Sequence, residues 1–93
     1  LNIRRSITSH NEAFGRALAE LRKSKKLSQE RLGFEADMDR SFISLMERGK
    51  RSPTLDTLVS LCAVLEISLS DFAALIEARQ QELFTCSGDE KSS

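Results

Sequence analysis

Between Glu12 and Lys25, Phe14, Ala17, Leu18 and Leu21 recur at the three- and four-residue steps of an α-helix, while Arg16, Glu20 and Lys23 take the other side. The pattern predicts a first amphipathic helix ending in the basic turn Arg22-Lys23-Ser24-Lys25-Lys26, where cations suit a helix C-terminus. Ser28 follows as a natural N-cap, its hydroxyl able to accept an orphan backbone N–H. It opens a short second helix of about eight residues, with Leu32 and Ala36 inward and Gly33 beside them. After a break at Asp37-Met38, Asp39 caps a third helix from Arg40 to Glu47, and Gly49 stops it in the left-handed conformation. Phe42, Ile43 and Met46 share one face of this helix. Arg40, Ser41, Ser44, Leu45 and Arg48 share the opposite one, so its outward side offers hydrogen-bond donors and one leucine.

A basic loop, Lys50-Arg51-Ser52-Pro53, leads to Thr54, the cap of a fourth helix in which Leu55, Leu58, Val59, Leu61, Cys62 and Leu65 form a wide apolar stripe. Ser68 with Asp71 three residues on has the capping-box pattern and starts a fifth helix carrying Leu69, Phe72, Leu75 and Ile76, which runs on to Phe84. No strand signal and no internal repeat is present. The expected architecture is therefore all-α: a flexible polar arm over residues 1–10, a compact five-helix bundle over 11–84 and a disordered polar tail over 85–93.

Charge changes the picture more than composition does. The formal net charge of the 93 residues is zero, which on its face argues against a polyanionic partner. Residues 1–51, however, hold twelve Lys/Arg against seven Asp/Glu, and residues 52–93 two against seven, a split of +5 and −5. Such a split points to one basic and one acidic face. Cys62 lies among apolar residues and Cys86 in the polar tail, without metal-ligand spacing or a disulfide framework, so a reducing cytoplasm is the simplest setting. No apolar run approaches the roughly 18 residues of a membrane span, and no secretory signal is visible. One histidine, His10, with no nucleophile motif, no phosphate-binding glycine loop and no metal cluster makes an enzyme remote, and no cofactor or small-molecule effector is indicated.

Two short helices joined by a tight turn, the second polar outside, are what a helix-turn-helix needs: one helix crosses the DNA backbone and the other enters the major groove. The stretch Leu27-Ser28-Gln29-Glu30-Arg31-Leu32, then Ala36, Met38, Arg40-Ser41-Phe42-Ile43-Ser44 and Glu47-Arg48-Gly49-Lys50-Arg51-Ser52-Pro53-Thr54-Leu55, closely resembles the phage repressor and Cro-like helix-turn-helix family. The likeness continues through Leu58, Ala63, Leu65 and Ile67-Ser68-Leu69-Ser70-Asp71, covering about residues 12–76. What it implies is a five-helix DNA-binding domain of the phage repressor type, acting as a homodimeric transcriptional regulator, in the first instance a repressor, on an operator-like inverted repeat in double-stranded DNA.

By the same resemblance, Gln29, Arg48, Lys50 and Arg51 would fasten phosphates; Arg40, Ser41, Ser44 and Leu45 would face base edges. Arg22 and Glu47 would tie helix 1 to the recognition helix by a partly buried ion pair. The residues themselves agree in part, since arginine can fork onto guanine and leucine can touch a thymine methyl. Plainer readings stand beside these: Gln29 as a surface residue, Lys50 and Arg51 as a solvated loop, the serines as ordinary exposed hydroxyls. Helix 5 continues past the compact domain, leaving Leu75, Leu83 and Phe84 as a candidate twofold surface unless they fold back on helix 1. Four departures from the family pattern weigh on affinity: Gly33 for alanine at a cost of roughly 1 kcal/mol, Asp37 for the turn glycine, the negative charge of Asp37 and Asp39, and an outward Phe34. The competing function is a protein-interaction module or antitoxin with weak DNA binding.

Overall fold

The computed structural model describes residues 3–92, with side chains over residues 10–83. The chain forms α1 (Ile3–Ser24), α2 (Gln29–Ala36), α3 (Arg40–Glu47), α4 (Leu55–Leu65) and α5 (Leu69–Ser92). There is no strand among the described residues.

Local chemistry sets the starts of these helices. Ser28 accepts the N–H of Arg31 at 2.9 Å, Thr54 that of Thr57 at 3.1 Å, and Ser68 that of Asp71 at 3.0 Å. Asp39 occupies the N-cap position of α3 but makes no side-chain cap; its backbone carbonyl accepts from Phe42 and Ile43 instead. The ends share one device. Gly49, at φ 74°, lets its own N–H reach Met46 O (3.0 Å) and that of Lys50 reach Leu45 O (2.9 Å). Lys26 (φ 60°), Asp37 (φ 60°) and Glu66 (φ 57°) end α1, α2 and α4 in the same left-handed conformation, at a steric cost of roughly 1 kcal/mol each.

The core draws on every helix: Phe14, Ala17 and Leu18; Leu32 and Ala36; Ile43 and Met46; Leu61, Cys62 and Leu65; and Phe72. Phe14 and Phe72 meet with ring centroids 5.7 Å apart, joining α1 to α5. Burial pushes the Cys62 thiol pKa up, so it behaves as a small hydrophobe. Arg79 of α5 bonds Glu20 of α1 at 3.1 Å and also pairs with Glu82, while Lys25 reaches Glu66 at 2.7 Å at the surface. No single helix is long and apolar enough to cross a membrane among the described residues.

The architecture departs from the sequence pattern in three places. Helix α1 begins at Ile3 rather than near Glu12, and α5 extends to Ser92 where a tail is expected. Apolar periodicity reports a buried stripe, not helicity itself, so helical turns without a core-facing stripe escape it. Second, Leu55 and Val59 of the expected α4 stripe are 65% and 53% exposed, and Leu69 of α5 is 42% exposed. Helix α4 packs against α2 and α5 and buries only its Leu61, Cys62 and Leu65 side. Third, Leu75 is half-buried against the core rather than presented outward.

Candidate nucleic-acid interface

Helices α1, α2 and α3 lie close because two glycines, Gly15 on α1 and Gly33 on α2, remove side chains where backbones meet. A Cβ on Gly33 would stand 2.5 Å from the Met38 carbonyl oxygen, and the Met38 N–H in turn donates to Gly33 O at 2.7 Å. Gly33 is thus a requirement of this turn, not the propensity defect that its sequence context suggests. A Cβ on Gly15 would stand 2.5 Å from Glu47 O and 2.6 Å from Met46 O, so α1 rests directly on the C-terminal end of α3. Sequence reasoning passed over Gly15, although a glycine inside an amphipathic helical pattern is itself a signal of close approach.

One carboxylate then locks three helices together. Arg22 of α1 donates Nε to Glu47 Oε2 at 2.6 Å and Nη2 to Oε1 at 3.1 Å, the two-pronged geometry of a strong pair. Gln29, the first residue of α2, donates Nε2 to the same Oε1 at 2.9 Å. Arg22 also donates Nη1 to Leu27 O at 2.8 Å, pinning the α1–α2 turn. The side chains of Arg22 and Glu47 are only 12% and 7% exposed, and the hydrogen bond to Glu47 raises the arginine pKa further. Gln29 therefore has at least one of its two amide N–H groups turned inward to Glu47, a role that its expected place on a phosphate did not include.

On this frame the outer face of α3 stands clear. Arg40, Ser41, Ser44, Leu45 and Arg48 line one shallow concavity. Arg40, Ser41 and Arg48 are exposed, and Ser44 and Leu45 are half-exposed. No acidic residue lines this concavity. Arg48 Nε leans back to Ser44 O at 3.4 Å. Lys50 and Arg51 are exposed in the following loop, with the Arg51 guanidinium 5.7 Å from the Phe42 ring centroid. The loop is tied to α1 by Ser52 Oγ donating to Asn11 Oδ1 at 2.7 Å. Asp37 and Asp39 are exposed beside the start of α3. Phe34 is 75% exposed on α2, with the Arg31 guanidinium 5.4 Å from its ring centroid.

Of the residues expected at a twofold surface, Leu75 and Leu83 are half-buried and the Phe84 side chain lies outside the described residues. Among the described residues no group of His, Cys, Asp and Glu could hold a metal ion.

A tri-helical frame that presents a donor-rich helix face, its concavity lined by no acid, beside a basic loop defines a DNA-binding helix-turn-helix. Residues 18–72 match the helix-turn-helix family, and the chain belongs to that family of DNA-binding transcriptional regulators. It is similar to the control protein C.BamHI of Bacillus amyloliquefaciens, 36% identical over 73 residues that cover 74% of this chain and 90% of the relative. The solved restriction-modification controller protein C.AhdI from Aeromonas hydrophila is 39% identical with a TM-score of 0.65, over 67% of this chain and 94% of that one. The controller protein C.Esp1396I, solved as a tetramer in complex with its natural 35 base-pair operator, is 25% identical with a TM-score of 0.71, over 77% and 95% of the two chains.

Proposed function

We propose that this chain is a sequence-specific transcriptional regulator, acting in the cytoplasm as a repressor or controller that lays α3 in the major groove of an inverted-repeat operator as a homodimer. The observation that carries the reading is the shared concavity of Arg40, Ser41, Ser44, Leu45 and Arg48 on an eight-residue helix. Such a helix is about 12 Å long, comparable to the width of the major groove. Arg40 opens it and forks onto guanine O6 and N7; Leu45 lies against a thymine methyl; Ser41 and Ser44 adapt to either base edge. Lys50 and Arg51 hold phosphates from the loop, Arg48 holds one from the end of α3, and the second amide N–H of Gln29 donates to another. Similarity to control proteins, one of them solved on its operator, supports this use of the fold.

Selection of bound sites from a random DNA pool tests the reading. The expected product is an inverted repeat with half-site centres about ten base pairs apart. Arg40→Ala should relax selectivity at one position per half-site and cost about 1–3 kcal/mol on the preferred sequence. Recovery of identical sequence preferences from wild type and Arg40→Ala would remove Arg40 from base reading. Failure to enrich any sequence would overturn the function.

A further inference from the structure

Most of the guanidinium groups whose side chains are described lean on an oxygen: Arg22 on Glu47, Arg31 on Glu35, Arg79 on Glu20 and Arg48 on the Ser44 carbonyl. Arg51 does not. It is exposed, makes no ion pair or hydrogen bond among the described residues, and stands over the Phe42 ring, 5.7 Å from its centroid. Arg31 also stands over a ring, that of Phe34, but gives Nη2 to Glu35. A ring engages a guanidinium through its flat face, and the N–H groups in the plane stay open to an outside acceptor. Phe42 is itself well held. It is the third residue of α3, half-buried against the core, with its backbone N–H donating to Asp39 O at 3.0 Å. The loop backbone is fixed separately on α1: Ser52 donates to Asn11, and a Cβ on Gly49 would stand 3.3 Å from the Glu12 Cα. Such anchors set where the loop runs but leave a long side chain free to swing, and the ring removes part of that freedom.

We propose that Phe42 is a positioning residue for DNA binding: its ring holds the Arg51 guanidinium by the face, with the N–H edge open, where a backbone phosphate meets the loop. The inference rests on the operator reading above and gives Phe42, which that reading leaves to the core, a part in it. Arginine suits this use better than lysine, because a planar fork matches two phosphate oxygens while its face rests on the ring. Lys50 beside it is exposed and stands over no ring among the described residues. Phe42 shares the first turn of α3 with Arg40 and Ser41, so the ring ties the phosphate grip to the register of the recognition helix. The gain is preorganisation: the side chain is partly ordered before DNA arrives, and the contact carries no base preference of its own. An exposed contact of this kind is worth about two- to fivefold in an equilibrium constant.

Fluorescence anisotropy of the whole chain on a duplex carrying the selected inverted repeat, and on a random-sequence duplex, tests this. Phe42→Leu keeps an apolar side chain on the core and removes the ring. It should weaken binding about two- to fivefold per copy bound, by the same factor on both duplexes. In an Arg51→Ala background the same substitution should change nothing further, whereas in a Lys50→Ala background its full effect should remain. Phe42→Tyr, which keeps the ring, should bind like wild type. An equal loss with and without Arg51 would show a merely structural role and overturn the proposal. Wild-type affinity in Phe42→Leu or in Arg51→Ala would overturn it too. Nuclear Overhauser contacts between the Phe42 ring and the Arg51 side chain decide the matter even where Phe42→Leu does not fold. They should be present in the free chain and persist on DNA. Their absence from the free chain overturns the proposal, and so does their loss on DNA, since ring and phosphate would then compete for one arginine. A chain that shows the coupling on random-sequence DNA but enriches no sequence would instead sink the operator reading and leave the role of Phe42 standing.

Discussion

Cutting Glu47 back to alanine probes the frame beneath the DNA-reading surface. The substitution strands Arg22, whose side chain is 12% exposed, and removes the acceptor of Gln29 at the first turn of α2. Breaking a buried ion pair from one side costs about 3–5 kcal/mol. Two features hold the figure to the lower end. Arg22 keeps its bond to Leu27 O, and a carboxylate at the C-terminal end of α3 opposes the helix dipole by about 0.3–1 kcal/mol, which its removal relieves. The expected loss is about 3 kcal/mol, or about 12–24 °C in Tm at some 4–8 °C per kcal/mol for a domain of this size. Urea and thermal denaturation measure it, with Arg16→Ala, at an exposed position of α1, as the reference within about 0.5 kcal/mol of wild type. The double variant Arg22→Ala/Glu47→Ala should lose less than the two single losses added together, because neither charge is then left alone. Arg22→Lys should not rescue, since one ammonium cannot make both the paired bonds to Glu47 and the bond to Leu27 O. A Glu47→Ala loss no larger than that of Arg16→Ala would refute the locked frame.

Three further outcomes follow from the geometry. Gly33→Ala should destabilise by about 1–3 kcal/mol despite a better helix former, because the added carbon meets the Met38 carbonyl at 2.5 Å; a variant that melts later than wild type would refute the close approach. Asp37→Gly should stabilise by about 1 kcal/mol by relieving a left-handed non-glycine residue, and should tighten DNA binding without altering base preference; unchanged melting would deny the strain. Lys50→Ala with Arg51→Ala should weaken binding to all sequences alike and flatten the salt dependence by about 0.9 for each phosphate no longer neutralised, read from affinities across a salt series; an unchanged slope would take the loop off the phosphates.

Much of this fold was legible in the sequence because it is written in local chemistry. Ser28, Thr54 and Ser68 announce helix starts through their own hydroxyls, and Gly49 announces an end through its own backbone freedom. The polar face of α3 could be read from spacing alone, since Arg40, Ser41, Ser44, Leu45 and Arg48 sit on one side of a helix wherever that helix lies. What could not be read was set by neighbours distant in sequence. Gly33 looks costly until the Met38 carbonyl stands over it, and Gly15 looks incidental until α3 ends against it. The apolar pattern of α4 marks residues that avoid water without saying what covers them, so Leu55 and Val59 read as one stripe with Leu61, Cys62 and Leu65 although they stand exposed among the described residues. Gln29 carries the same ambiguity: its position at the start of α2 suits a phosphate, and only the meeting of three helices places its amide on Glu47.

The charge distribution adds a constraint on how this surface finds its target. A chain of zero net charge feels no overall pull toward a polyanion, and Asp37 and Asp39 stand exposed beside the recognition helix. The attraction that remains comes from the excess of +5 in residues 1–51, which include α2, α3 and the loop, set against −5 in the segment that forms α4 and α5. A separation of this kind orients the molecule as it approaches, basic side first, but its field dies away faster than that of a net charge and is screened beyond about 8 Å at physiological salt. Nonspecific affinity, which is almost wholly electrostatic, should be correspondingly low. The distinction between operator and bulk DNA then falls on contacts made only at close range: the base edges under α3 and the second copy that fills the other half-site. The link between α1, α2 and α3 through Glu47 would sharpen those few contacts, because a recognition helix that rocked on its frame would spread its side chains over several base steps.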